Sequence, residues 1–310
     1  MAEQKRAVVV GATGLIGKAV STRLLERGYE LTVFSRDPAK AREALPGASD
    51  YVAWQPQETG DWERFIDGAY GVINMAGAPF FRKWTPDYER EVRESRILGT
   101  RGLVNAMRAA KVKPRVFING SSVGSYGYDN RTNRDTPLDE ESPAGSDSWG
   151  QDSLVYEQDA EQAEALGVRV VLVRTGIVLA DHDSALQGQI PQFRNYFGGW
   201  VRPGTQWCSW IHIDDEAGLI LFALENDQVR GLLNATAPEP QRNKEFSQTL
   251  GRVLKRPVWL GVPAALLTRF LGPVAVTVTH GRRVVPKKAL DLGYQFQYTK
   301  SEDALRDLIH

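Results

Sequence analysis

The stretch VVVGATGLIGKAV, beginning at Val8, constrains this chain more than any other. It sets Gly11, Gly14 and Gly17 between a short β-branched run and a helical pattern. Each glycine has its own task there: a tight turn, close approach of backbone to a pyrophosphate, and close packing of helix on strand. The helix start offers unpaired N–H groups and the positive end of its dipole to phosphate oxygens. After the first strand of a βαβ unit, such a triplet predicts a dinucleotide site. Contacts are expected from Gly11, Thr13, Gly14, Leu15, Ile16 and Gly17.

The pattern that follows fits this start. Strand-like runs RAVVVGA, ELTVFSR, YVAW, GVINMAG, RVFINGSS and VRVVLVRTG alternate with helical periodicity from about Leu15 to Gly28, through Ala44, from Pro86 to Ala110, and from Gln151 to Leu166. Alternation of this kind predicts parallel strands joined by right-handed crossovers. The unbroken apolar runs AVVV and VVLV suit strands buried on both faces. The expected class is α/β, a Rossmann-type doubly wound parallel sheet with a smaller C-terminal α/β lobe. Residues 1–180 form the expected nucleotide-binding domain, with 210–235 returning to it. Residues 181–209 and 236–310 form the expected substrate lobe. SWIHIDDEAGLILFALEN reads as a strand end and an amphipathic helix capped by Asp214 or Asp215. Asp129 to Gly150 is the most loop-like stretch.

Composition narrows the partners. Lys plus Arg and Asp plus Glu both number 38, so no net charge points to nucleic acid or an anionic membrane. The lone Cys208 cannot form an internal disulfide, which predicts a reducing compartment. The chain enters a strand at once, with no room for a signal peptide, and PAALLTRFLGPVAVTV is too interrupted to span a bilayer. A cytoplasmic protein acting on a small molecule is expected, as a monomer or a homodimer.

The second strand ends TVFSRDP. An NAD site wants an acid at the strand end to take the ribose 2′-hydroxyl, whereas Ser35 and Arg36 stand there and suit a 2′-phosphate. NADP(H) is the expected cofactor. The small-residue turn NMAG, with Met75, Ala76 and Gly77, lets backbone approach the ribose and nicotinamide side.

With GATGLIG, NMAG, SSVGSYG and SWIHIDD in this order, the chain resembles an extended short-chain dehydrogenase/reductase. SRILGTRGLV, RTGIVL, GTQWCSWIHIDD and VVPKKALDLGYQF make it most similar to the atypical branch labelled epimerase family proteins. The resemblance implies cofactor contacts from the glycine loop, Ser35, Arg36, Met75, Ala76, Glu91 and Arg96, with Val178 beside the nicotinamide. By spacing alone, Glu91 and Arg96 equally fit a solvated helical face.

The departure lies in the proton relay. In the wider family a serine, a tyrosine and a lysine four residues after it act together. Ser122 matches the serine and Tyr156 stands near the tyrosine's place, but position 160 is alanine. A free tyrosine, with a pKa near 10, is only about one part in a thousand ionised at pH 7, and the relay lysine lowers that pKa. No lysine occurs between Pro114 and Asn243, so a replacing cation must be an arginine or come from elsewhere in the fold. Tyr156 is therefore a neutral proton donor, an aromatic lining the nicotinamide pocket, or one packing under the helix.

The four histidines lack metal-ligand spacing, so no metal is expected, and no G-x-S-x-G elbow makes Ser121 or Ser122 a hydrolase nucleophile. Trp200, Trp207 and His212 are the expected substrate-pocket residues, with a structural hydrogen-bonding role at a strand end beside the cleft as the other reading of His212. The aromatics from Phe193 to Trp210 either bind substrate or seal the lobes together. The expected function is NADP(H)-dependent hydride transfer or epimerase-like chemistry without the Tyr–Lys relay. The alternative is a non-catalytic NADPH-binding redox sensor or regulator.

Overall fold

Every second side chain of the first strand goes to a different core. Ala7 and Val9 join one hydrophobic cluster, Val8 and Val10 another, and all four are fully buried. A strand apolar on both faces needs a layer on each side, and the computed structural model, which describes residues 5–56, 59–80, 84–128 and 135–309, has both. Residues 129–134 of the expected loop, and His310, lie outside that range.

In chain order, β1 is Arg6–Val10, α1 Leu15–Glu26, β2 Glu30–Ser35, α2 Pro38–Ala44, β3 Asp50–Ala53, β4 Gly71–Asn74, α3 Pro86–Ala109, β5 Val116–Ser122, α4 Ser148–Glu161 and β6 Arg169–Thr175. There follow β7 Ile177–Leu179, α5 Ala185–Arg194, β8 Gly199–Val201, β9 Trp207–Cys208, β10 Trp210–His212, α6 Ile213–Glu225 and β11 Gly231–Ala235. The chain then forms β12 Gln241–Arg242, α7 Asn243–Leu254, β13 Leu260–Val262, α8 Ala264–Leu271, α9 Val276–Thr279, α10 Lys287–Asp291 and α11 Ser301–Leu308.

Seven strands form a parallel sheet in the order β11-β6-β5-β4-β1-β2-β3. β1 pairs with β2 on one side and β4 on the other, with Val10 opposite Phe34 and Asn74. The winding direction reverses at that point, which opens a crevice beyond the carboxyl ends of β1 and β4. Helices α1, α2 and α6 cover one face, and α3 and α4 cover the other. A third cluster, with Phe193, Trp210, Phe246, Leu250 and Leu305, forms the core of the later elements.

Local chemistry sets the helix starts. Asp37 caps α2 by accepting from the Lys40 N–H, Thr85 caps α3 from Tyr88, and Asp147 caps α4 from Gly150. At α1 the cap is Gly14, with no side-chain acceptor. The cap of α6 is neither Asp214 nor Asp215, as the sequence predicts, but His212, whose Nδ1 accepts from the Asp214 N–H at 3.1 Å. Asp215 instead accepts from the backbone N–H groups of Gln297 and Tyr298 at 2.8 and 2.9 Å. Asp214 reaches Arg23 on α1 at 2.7 Å. Among the described residues no helix is long and apolar enough to cross a membrane.

Candidate functional site

A cleft of about 600 Å³ occupies the crevice at the strand ends. Thr13, Gly14, Leu15, Ile16 and Gly17 form one wall, and Met75, Ala76 and Gly77 the base. Ser122 and Val178 stand on the opposite wall, with Thr175 between them. Gly11 lies beneath the loop at φ +77°, where a Cβ would come within 2.8 Å of the Met75–Ala76 backbone. A Cβ on Gly17 would stand 2.1 Å from the Gly11 carbonyl oxygen, so only hydrogen lets α1 start this close to β1. The β4 turn is held from below. Asn74 donates to Asn119 Oδ1 at 2.8 Å and accepts from the Ala76 N–H at 3.2 Å.

Ser35 and Arg36 do not border this cleft. They stand at the end of β2, one step past Phe34, which pairs with Val10 just before Gly11. The Ser35 hydroxyl and the Asp37 backbone bond to each other across a tight turn. Arg36 is exposed, and its side chain has no partner among the described residues. Glu91 is also exposed, on α3 and outside the cleft. Arg96, one helical turn further along the same helix, does line the cleft. It donates to the Val92 carbonyl at 2.9 Å and the Ala78 carbonyl at 3.4 Å, and no carboxylate pairs with it among the described residues. Burial pushes its pKa down, as expected of a guanidinium with no counter-charge among the described residues.

Tyr156 does not border the cleft and packs on the buried face of its helix, near the cleft residues Arg96 and Tyr128. It is 5% exposed; its phenol donates to Ser153 Oγ at 3.1 Å, with Ser121 Oγ 3.5 Å away. The physical reason is its place on α4. Trp149, at the helix start, packs against Phe80 and Tyr128, both of which line the cleft. Tyr156 is seven residues, or roughly 10 Å, further along the helix. The cation that a missing lysine calls for is present in that buried region, but it is spent. Arg174 on β6 makes a two-pronged bond to Glu157, from Nε at 2.9 Å and Nη2 at 2.7 Å, with both side chains at most 3% exposed. Glu157 also accepts from Ser121 at 2.5 Å and Ser125 at 2.9 Å, while Arg174 lies over the Tyr126 ring at 4.5 Å.

Ser122 keeps its wall position. Its Oγ accepts from the Gly124 N–H at 3.0 Å, which leaves its own proton to donate. Tyr128 is the tyrosine among the cleft-lining residues, and sequence reasoning missed it because it sits in the loop after β5 rather than on α4.

Of the three expected substrate residues, only Trp207 lines the cleft. It lies between the guanidinium groups of Arg242 and Arg283, at 4.1 and 5.0 Å, and its indole N–H donates to Asp135. Trp200 is in β8, paired with β13, with the Lys244 ammonium 4.8 Å over its ring. His212 is 1% exposed, committed to capping α6, and stacked on Tyr298 at 3.9 Å. Burial pushes its pKa down. It forms, with Asp214 and Asp307, a cluster tight enough for a metal, but Asp214 is already paired with Arg23. The aromatic run divides between core, cleft and surface. Phe193 and Trp210 belong to the core, Trp207 faces the cleft, and Tyr196 and Phe197 are exposed.

Behind the cleft wall, Thr175 donates to Glu216 at 2.7 Å. Glu216 is fully buried, and burial pushes its pKa up to about 8.

Comparison with known proteins adds what geometry alone does not. Residues 7–235 match the profile of the NAD dependent epimerase/dehydratase family, and residues 262–308 match a domain of unknown function, DUF1731. The chain is 38% identical to the chloroplastic epimerase family protein SDR39U1 homolog of Arabidopsis thaliana, over 97% of this chain and 86% of that protein. It is 33% identical to the epimerase family protein YfhF of Bacillus subtilis, over 97% of each. Among solved structures, that of human epimerase family protein SDR39U1 with NADPH superposes with a TM-score of 0.85 at 30% identity, over 98% of each chain.

Proposed function

The chain belongs to the NAD dependent epimerase/dehydratase family, and from that membership we propose that it binds NADP(H) and transfers hydride between the cofactor and a small molecule. The observation that carries the cofactor choice is at the end of β2. The Asp37 carboxylate is committed to capping α2, so no free acid stands there for a ribose 2′-hydroxyl. The exposed Arg36 instead offers an unpartnered guanidinium to a 2′-phosphate. The NADPH in the human SDR39U1 structure supports the same choice.

In this reading the pyrophosphate lies over the uncapped start of α1, and the nicotinamide lies between Ser122 and Val178. Arg96 supplies the counter-charge on the inner side of the cofactor. The substrate then meets the nicotinamide on the side of Phe80, Tyr128 and Trp207. Replacing Arg36 by Ala tests the cofactor choice. NADPH affinity should fall by about tenfold, the equivalent of roughly 1.4 kcal/mol from one charge-assisted bond, with NADH affinity unchanged. Equal losses for both cofactors would refute it.

A second reading, a non-catalytic NADPH-binding regulator, is favoured by Ala160 and by the seat of Tyr156 away from the cleft. Tight NADPH binding without turnover of any carbonyl compound would select it.

A further inference from the structure

Loss of the α4 tyrosine and lysine from the cleft leaves the question of what protonates the substrate oxygen. Two hydroxyls stand on the wall where it would arrive. Ser122 Oγ and the Tyr128 phenol oxygen each lie 3.3 Å from the point where a Cβ on Gly124 would begin. With no Cβ on Gly124 both oxygens can approach one point, and both residues line the cleft. The phenol of Tyr128 makes no hydrogen bond to any described residue, whereas that of Tyr156 is tied to Ser153. Tyr128 is also held firmly. Its backbone N–H donates to Asp147 Oδ2 at 2.5 Å, and its ring meets Trp149 edge-on at 5.9 Å. Asp147 is the same carboxylate that caps α4, so the helix start fixes the direction of the phenol.

We propose that Tyr128 is the proton donor of the hydride-transfer reaction, with Ser122 as second hydrogen-bond donor to the same substrate oxygen. The proposal rests on the hydride-transfer reading above. The step balances as follows. Hydride passes from the reduced nicotinamide to a carbonyl carbon, and the C=O π pair moves onto oxygen. That oxygen takes the Tyr128 proton, leaving an alcohol, NADP⁺ and a phenolate that regains its proton from water. Burial pushes the Tyr128 phenol's pKa up; the group is therefore neutral and carries the proton that the reduction requires. The substrate class is a small aldehyde or ketone flat enough to enter between Phe80 and Trp207.

The test uses the full chain with NADPH and 9,10-phenanthrenequinone plus a series of aromatic aldehydes, following NADPH oxidation. Tyr128→Phe should lower kcat by about 100-fold or more, the usual size of a general-acid contribution. It should leave the NADPH Kd unchanged and abolish the D₂O effect on kcat. Tyr156→Phe should change kcat at most a few-fold. Gly124→Ala is the second variant, because it fills the space between the hydroxyls without removing either; it should raise KM and lower kcat. Wild-type turnover retained within threefold in Tyr128→Phe, with its D₂O effect intact, overturns the proposal alone. Wild-type protein that binds NADPH but reduces no carbonyl overturns the hydride-transfer reading and this proposal with it.

Discussion

Glu157 is the residue whose removal should be felt most. Its carboxylate accepts four hydrogen bonds, two from Arg174 at 2.9 and 2.7 Å and one each from Ser121 and Ser125. Both charged side chains are at most 3% exposed, so water cannot replace either partner. Glu157→Gln keeps the shape but removes the charge, and turns an N–H group of the new amide toward an Arg174 N–H. The guanidinium is then buried without compensation, a change that costs about 3–5 kcal/mol in known cases. With an unfolding entropy near 2.1 cal/mol/K per residue, a chain of this length should lose about 5–8 °C in Tm. Urea unfolding followed by tryptophan fluorescence measures the first number, and a thermal melt the second. The Glu157→Leu, Arg174→Met double variant should recover part of the loss, since it removes both charges together, though Ser121 and Ser125 still lose their acceptor. A loss below about 1 kcal/mol for Glu157→Gln would refute the view that this pair is an ionised, water-free joint.

Other outcomes follow from the same geometry. Glu216 carries a raised pKa of about 8 against 4.5 unfolded. The folded state therefore holds a proton the unfolded state releases, and this contribution is full below pH 4.5 and lost as pH climbs through about 8. Glu216→Gln should lack that slope and gain on wild type by on the order of 4–5 kcal/mol between pH 4.5 and 8; parallel stability curves for the two proteins would contradict this. Gly17→Ala places a methyl 2.1 Å from the Gly11 carbonyl oxygen, and should cost about 1–3 kcal/mol of stability together with most NADPH binding, read by calorimetry. Arg96→Met should leave the stability of the ligand-free protein little changed, since the half-buried guanidinium has no carboxylate partner among the described residues, while shrinking the Tm rise that NADPH produces. An unchanged Tm rise would place Arg96 away from the cofactor.

The sheet and the glycine loop were legible because their signals are local. Buried parallel strands must read as unbroken apolar runs, and AVVV and VVLV do. The loop's glycines lie within seven residues of one another, so their spacing carries the geometry. The cleft wall was less legible because it is assembled from distant segments. Tyr156 follows the expected motif in sequence, yet two helical turns along α4 separate it from Trp149 at the cleft end. His212 looks like a cleft residue by its place after a strand, but a histidine at a helix start can cap that helix, and this one does. Tyr128 carries no sequence signal beyond being an aromatic in a loop. Arg174 does carry one that sequence reasoning left unused. A charged residue within the apolar run VVLVRT of a central strand demands a buried partner, which Glu157 supplies from the position next to Tyr156.

The first turn of α6 joins parts of the fold that lie far apart in sequence. Asp214, Asp215 and Glu216 are consecutive, yet they reach Arg23 on α1, the backbone at 297–298, and Thr175 on the cleft wall. Three neighbouring acids thus act as a common hub for the helix that follows the glycine loop, for a late segment and for the cleft, so a displacement of this single turn is transmitted to all three places at once.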